Sequence, residues 1–361
     1  MAFLKMNKRN LISSLVAFAL LLIGSILSGN SINLPELLGY VLIYAIAALS
    51  LNIICGCLGE FVLGHGGFVL IGYTTAYLVS NLIKNAMGNS LYREIVFKTL
   101  GAQLYPLGYG LIIVDVLIAA VVTGLIGFVI GTIALGRLKG DYLAIVTLGI
   151  SSIFVLICYN IEPLGGSAGK SAMSYLGGKP IIYAVFFILV LILILSFMKS
   201  RFGRAILACR DDNIAAEASG VAVGKTKVLA FTFATFIAGI AGGLLCHHTS
   251  VNPQFFDLQF SIELLIIIVL GGLGSLTGTM VASIIIVFYK YWFINQSWVP
   301  NFFAANPKII YGIILVVIML FRSKGILGTS EFTWNWFYSK LKLLWSKIIS
   351  IFKKKTPKEV E

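Results

Sequence analysis

The chain is divided into apolar runs of about 17–25 residues, the length that carries an α-helix across ~30 Å of hydrocarbon. With soft boundaries they cover residues 11–27, 37–55, 61–83, 109–135, 142–159, 181–198, 228–247, 255–270, 278–293 and 309–321. A sequence built this way is expected to fold as an all-α, polytopic transmembrane helical bundle of about ten crossings. An even number of crossings puts both termini on one side. Composition agrees, with 59% hydrophobic and 11% charged residues and a mean hydropathy of +0.98. A soluble domain is nearer half apolar and a quarter charged. Two arrangements are open around Leu273: Gly271, Gly272 and Gly274 form either a cytosolic turn between two spans or a break inside one long helix.

Charge selects the side. Placing both termini in the cytosol puts Lys5, Lys8, Arg9, Arg137, Lys139, the basic residues of 199–227 and those after Phe321 inside. That is the larger part of the 27 Lys and Arg, the direction of the positive-inside bias. The net charge of +13 is explained by anionic lipid at the cytosolic leaflet and calls for no nucleic acid. The first apolar run exceeds the usual h-region of a signal peptide and no A-x-A site follows, so it reads as a retained helix. The five cysteines are odd in number and mostly set in apolar runs, and Cys55 and Cys57 point to different faces of a helix; neither a disulfide nor a metal pair is expected.

One polar stretch interrupts this pattern: CRDDNIAAEASGVAVGKTKVLAF, residues 209–231. Asp211, Asp212 and Asn213 are capping residues suited to the positive end of a helix. Ala215, Ala216 and Ala218 favour helix, and Gly220 can end it in the left-handed conformation. The stretch predicts a short cytosolic helix of two or three turns, preceded by Arg204 and Arg210 and followed by Lys225 and Lys227. Such a helix is not stable alone. Ile214 and Val221 offer too little apolar surface for strong lipid binding, so docking into a groove of a soluble protein fits better than an interfacial helix.

SRFGRAILACRDDNIAAEASGVAVGKTKVLAFTFATFIAGIAGGL resembles the cytoplasmic coupling segment of LivM-type branched-chain amino acid ABC transporter permeases. The resemblance extends to LSLNIICGCLGEFVLGHGGFVLIGYTTAYL, LKGDYLAIVTLGISSI, LGGSAGKSAM, SIELLIIIVLGGLGSLTGTMVAS and MLFRSKGILG, in that order, over about residues 37–328. It implies a permease domain over 1–328, the membrane subunit of an ATP-driven importer working beside a second, homologous permease. Two cytosolic ATPase subunits and an extracytoplasmic solute-binding protein would complete the complex. The chain itself would be neither an enzyme nor a cofactor protein. ATPase contact would fall on Arg204, Arg210, Asp211, Asp212, Ala216, Glu217, Ala218 and Gly220. Energy would arrive mechanically, a short helix seated in an ATPase cleft moving as the two ATPases close. Family members usually carry a glutamine and a serine where this chain has Glu60 and Val62. Selectivity would rest with the binding protein, so urea or short amides remain alternative substrates.

GGSAGKS, residues 165–171, resembles a phosphate-binding P-loop, but its glycine spacing is one short and no strand is expected before it. Gly165, Gly166 and Ser167 are candidates for contact with the binding protein or the edge of the pathway. The glycines of GGLGSLTG are better explained by close helix packing or sharp turning than by dinucleotide binding. Further pathway or gating candidates are Glu60, Gly64, His65, Gly66 and Asp115, the last being the acid set deepest in a span. His65 has glycines on both sides, so its ring can reach a neighbouring helix. His247 and His248 are expected at the interface. Residues 329–361 carry Trp334, Phe337, Tyr338, Leu341, Leu344 and Trp345 at helical spacing among lysines, a basic amphipathic extension on the cytosolic leaflet. An ion-coupled secondary transporter would need buried coupling charges, for which Asp115 is the one fair candidate. A membrane enzyme would need His, Asp or Cys clustered at one depth, and three histidines do not supply that.

Overall fold

The computed structural model describes residues 34–88, 106–135, 140–172 and 180–293. The runs 11–27 and 309–321 and the extension 329–361 lie outside the described residues. Every regular element among the described residues is helical. In chain order they are α1 Leu34–Asn52, α2 His65–Met87, α3 Pro106–Ala134, α4 Asp141–Asn160, α5 Pro180–Lys199, α6 Arg201–Asp211, α7 Asn213–Ala218, α8 Val223–His248, α9 Leu258–Gly271 and α10 Leu276–Phe288. Two π-helical turns, Ile53–Leu58 and Tyr289–Phe293, extend α1 and α10. Six helices among the described residues are long and apolar enough to cross a membrane: α1 with its extension, α2, α3, α4, α5 and α8. The protein is a helical membrane protein.

Burial sorts these apolar helices into two kinds. Helix α1 is covered on all sides, from Leu42 through Ile54, as befits a helix apolar all round. It packs with α8, α10, α5 and α9, while α8 also lies along α2 and α3. Helices α3, α4 and α5 bury one stripe and leave the other bare: Leu117, Val121, Leu125 and Phe128 on α3, Ile153 and Leu156 on α4, and Val185, Ile188 and Ile192 on α5 are exposed. Recurrence at three or four residues makes each a face directed out of the bundle.

Helices packed in lipid gain nothing from burying leucine against leucine, so close approach of small residues sets the crossings. A Cβ on Gly72 of α2 would lie 2.6 Å from the Gly239 carbonyl oxygen of α8, and one on Gly239 would lie 2.8 Å from the Ala120 Cα of α3. Gly242 meets the backbone of Val69 and Tyr73 in the same way. These glycines hold α2, α8 and α3 nearly backbone to backbone.

Two places depart from continuous spans. The apolar run beginning at residue 61 does not begin as helix: residues 59–64 are irregular, and α2 starts at His65. The π-helical turn closes on Gly59 (φ +82°), whose N–H bonds the Ile54 carbonyl. The chain then doubles back into the bundle, because His65 is level with Ser50 of α1, eight residues before the turn's end. Irregular backbone at that depth survives only where protein surrounds it, and Val62, Gly64 and His65 are buried. Around Leu273, the structure selects the turn over the break. Gly272 and Gly274 have φ of +114° and +83°, a side chain on Gly271 would lie 2.6 Å from the Thr279 nitrogen, and Ser275 caps α10 by accepting from the Gly278 N–H at 3.1 Å. At ~1.5 Å per residue, α9 and α10 are shorter than the hydrocarbon is thick. They form a helical hairpin lying against α1.

Candidate functional site

At Ser200 the chain leaves α5 and turns a corner. Ser200 (ψ 174°) accepts from the Phe202 and Gly203 N–H groups, capping α6. Gly203, Ile206 and Cys209 recur every three residues and are the buried face of α6. Burial pushes the Cys209 thiol up, so it packs as a small neutral group at neutral pH. Arg201 and Arg204 lie on the opposite face and Phe202 and Arg210 at the margins of the buried one, and all four are exposed.

Asp212 separates α6 from α7. Its Oδ1 accepts from the Ile214 N–H at 2.8 Å and the Ala215 N–H at 3.2 Å, the N-cap expected of this aspartate. Helix α7 is shorter than its expected two or three turns. It ends in a Schellman arrangement, with Gly220 N–H to Glu217 O at 2.9 Å and Val221 N–H to Ala216 O at 3.0 Å. Gly220 has φ +83°, the left-handed conformation its position called for. Ala216 is the one buried residue of α7. Glu217 and Ala218 are exposed and Ile214 is 81% exposed. Replacing Asp212 with alanine is expected to cost ~1 kcal/mol of local helix stability. Amide hydrogen exchange should then speed up over Asn213–Ala218 while the membrane helices keep their protection.

This segment sits on a defined seat. The aliphatic stem of Arg210 lies where a side chain on Gly59 would go (3.2 Å), and its guanidinium lies where one on Gly274 would go (3.2 Å). Both positions have positive φ (+82° and +83°), which calls for glycine, and the arginine packs closely over both. Beside them Glu60 and Lys227 form an ion pair joining the irregular segment to the first turn of α8, with side chains 12% and 7% exposed. Behind them, Asn52 ties α1 to the hairpin turn. Its Nδ2 donates to the Ser275 carbonyl (3.1 Å) and the Thr279 hydroxyl (3.0 Å), and its Oδ1 accepts from the Gly274 N–H (2.9 Å). A push on α6 thus meets α1, the hairpin and α8 together.

The remaining candidates do not join this site. His65 lies level with Ser50, whose Oγ is 2.6 Å from the imidazole Nε2 and 2.7 Å from the Ala47 carbonyl oxygen. Gly64 packs on the Thr147 backbone of α4, and the Gly66 N–H donates to Ser261 of α9. Asp115 faces the interior of the bundle, with Oδ2 3.5 Å from His247 Nε2. His247 and His248 are the last two residues of α8; both are covered by neighbouring protein, and His248 Nδ1 meets the Tyr183 hydroxyl at 3.0 Å. Helix α8 runs further into cover than its hydropathy suggested, since Tyr40 and Tyr183 close over its end. Gly165, Gly166 and Ser167 lie at the end of the bundle opposite α6 and α7. There Asn252 donates to the Ser167 carbonyl, and Tyr77, Lys84, Lys170 and Ser250 share a cleft of about 350 Å³. Spacing alone did not point to Asn52, Lys227 or Lys290, each joined to a partner more than 25 residues away.

Residues 33–319 match the family model described as branched-chain amino acid transport system, permease component. The high-affinity branched-chain amino acid transport system permease protein LivM of Salmonella typhimurium is 30% identical, over 79% of this chain and 68% of its own. The LivM protein of Escherichia coli is 29% identical over the same shares. The LivH permease protein of Salmonella typhimurium is 24% identical, over 80% of this chain and 92% of its own. No solved structure matches the chain. An all-helical membrane bundle with a capped, exposed helix pair seated on three of its helices, matched over most of its length, belongs to the family of permease components of branched-chain amino acid transport systems.

Proposed function

We propose that the chain is the membrane-spanning subunit of an ATP-driven importer of branched-chain amino acids, and that α6 and α7 are the handle through which a separate ATPase moves it. The observation that carries this reading is the exposure of α7 in an otherwise apolar protein. A six-residue helix held by caps at both ends and by one buried alanine has most of its surface left for a partner. Ile214 and Ala218 would fill that partner's groove, with Arg204, Arg210, Asp211, Asp212 and Glu217 supplying polar contacts at its rim.

The full arrangement counts the α9–α10 hairpin, with the chain leading into and out of it, as two of ten crossings, with both termini in the cytosol and α6–α7 on the cytosolic side, in line with the distribution of Lys and Arg. A second, homologous permease stands beside the domain of residues 1–328, and two ATPase subunits bind below. A solute-binding protein docks at the opposite end, near Gly165, Gly166, Ser167 and the lysine-bordered cleft. Residues 329–361 lie along lipid on the cytosolic leaflet. Glu60, Gly64, His65 and Gly66 line or gate the inner part of the route. Asp115 is paired with His247 in the bundle interior, an arrangement that serves helix packing.

The test is reconstitution in proteoliposomes. Leucine uptake should require ATP, the ATPases and the binding protein, and photo-crosslinkers at positions 210–220 should capture an ATPase subunit. Uptake by the chain alone driven by an ion gradient, or crosslinks that never reach an ATPase, would overturn the reading.

A further inference from the structure

Two charged side chains meet at mid-height between α1, α9 and the end of α10. Lys290 Nζ lies 2.7 and 3.0 Å from the two carboxylate oxygens of Glu263 and 3.0 Å from the Tyr44 hydroxyl oxygen. The Tyr44 hydroxyl faces Glu263 Oε2 at 3.4 Å as donor. The ammonium also stands 5.3 Å from the ring centre of Tyr44, 5.0 Å from that of Phe255 and 5.5 Å from that of Tyr291. Tyr40 stacks behind Tyr291 at 4.0 Å. The carboxylate is 5% exposed and the lysine 19%.

Stability does not account for this arrangement. Each buried ion costs several kcal/mol of desolvation, and apolar side chains of equal volume commonly hold a fold as well or better. An ionisable group inside a membrane bundle is by default a functional one. A carboxylate beside several aromatic faces is the chemistry that binds an ammonium ion, and here the chain fills it with its own lysine. Lys290 also belongs to the π-helical turn Tyr289–Phe293. Such turns concentrate at functional sites. A one-residue return to α-helical register would swing the side chain by about 100°.

The geometry points to the Glu263–Lys290 pair as an internal site for a zwitterion. When an α-amino acid arrives, its ammonium takes the lysine's place against Glu263 and Tyr44, and its carboxylate receives the released Lys290. Every charge then keeps an opposite partner in a poorly solvated place. A ligand with one charge would leave one of the two side chains unmatched. The aliphatic part of the substrate would rest on Phe255 and Tyr291. This inference rests on the importer reading and adds to it a place in the permease that tells zwitterions from other solutes.

The assembled importer in proteoliposomes provides the first test. In E263Q/K290M, which removes both charges and keeps their volume, complex yield and ATPase stimulation by loaded binding protein should stay within about twofold of the parent. Leucine uptake per ATP should fall about tenfold or more, as expected for the loss of charged hydrogen bonds. Uptake per ATP equal to the parent's would overturn the site. Should that variant not assemble, the unaltered complex decides. Reductive methylation of Lys290, followed by mass spectrometry, should change severalfold in rate with millimolar leucine. Isocaproate and isoamylamine, which carry one charge each, should leave the rate unchanged. Equal effects of all three, or none from leucine, would refute the zwitterion site. This labelling needs no transport, so it stays distinct from a failure of the importer reading, which shows as absent ATP-dependent uptake by the parent complex.

Discussion

Gly72→Leu is expected to leave almost no folded protein in the membrane. The crossing of α2 over α8 brings the Gly72 Cβ position within 2.6–2.7 Å of the Gly239 carbonyl oxygen and Cα. Those atoms are backbone, so no rotamer change relieves the clash, and the helices must part. Gly239 is itself pressed on α3 at Ala120 and Thr123, so the displacement reaches a third helix. Overpacking of a well-fitted core costs ~1–3 kcal/mol for small insertions, and a leucine side chain inserts four carbons. Gly72→Ala gives a graded version, with ~2 kcal/mol lost and a lower unfolding midpoint in detergent. Gly149→Ala on α4 is the matched control. Nothing lies within 4 Å of its Cβ position, and alanine's helix propensity should make it neutral or stabilising by up to ~1 kcal/mol. Equal midpoints for Gly72→Ala and Gly149→Ala would contradict the crossing described here.

That contrast also separates what the sequence made legible from what it did not. Run length and hydropathy identify the solvent of a helix, so the apolar run 142–159 emerges as α4 with one residue added at each end. Capping is equally local: Asp212 and Gly220 do at the two ends of α7 what their side chains dictate. Hydropathy carries no information about rotation, because in a bilayer both the lipid-facing and the buried side of a helix are apolar. Nothing in the composition of α1 and α3 therefore announces that one is enclosed and the other half bare. The same blindness hid the start of α2. Phe61, Val62 and Leu63 count as span residues by hydropathy, yet the chain uses them to return from Gly59 to the level of Ser50. The polar partnerships were hidden for another reason. Glu60 and Lys227 are 167 residues apart and Asn52 and Gly274 are 222 apart, and such pairs exist only once the helices have chosen their crossings.

Glu60→Ala is expected to cost ~3–5 kcal/mol, the penalty for stranding one member of a buried ion pair. Lys227 is 7% exposed at its side chain and cannot exchange its lost carboxylate for bulk water without tilting the first turn of α8. E60Q/K227M should recover most of that loss, since two neutral side chains of similar size remove both the attraction and the desolvation cost. The unfolding midpoint of the purified complex reads both effects. Transport should separate what stability does not. Glu60 stands next to Gly59, against which Arg210 of the handle packs, and Lys227 lies near the start of α8, the helix that follows the handle. In E60Q/K227M the stable fold would lack the tie between the irregular segment and α8, so motion of α6 would reach α1 and the hairpin through Asn52 while α8 lagged. ATP hydrolysed per leucine imported should then rise severalfold at near-parental stability. A double variant as stable and as tightly coupled as the parent would confine the pair to folding and leave the Asn52 link as the transmitting contact.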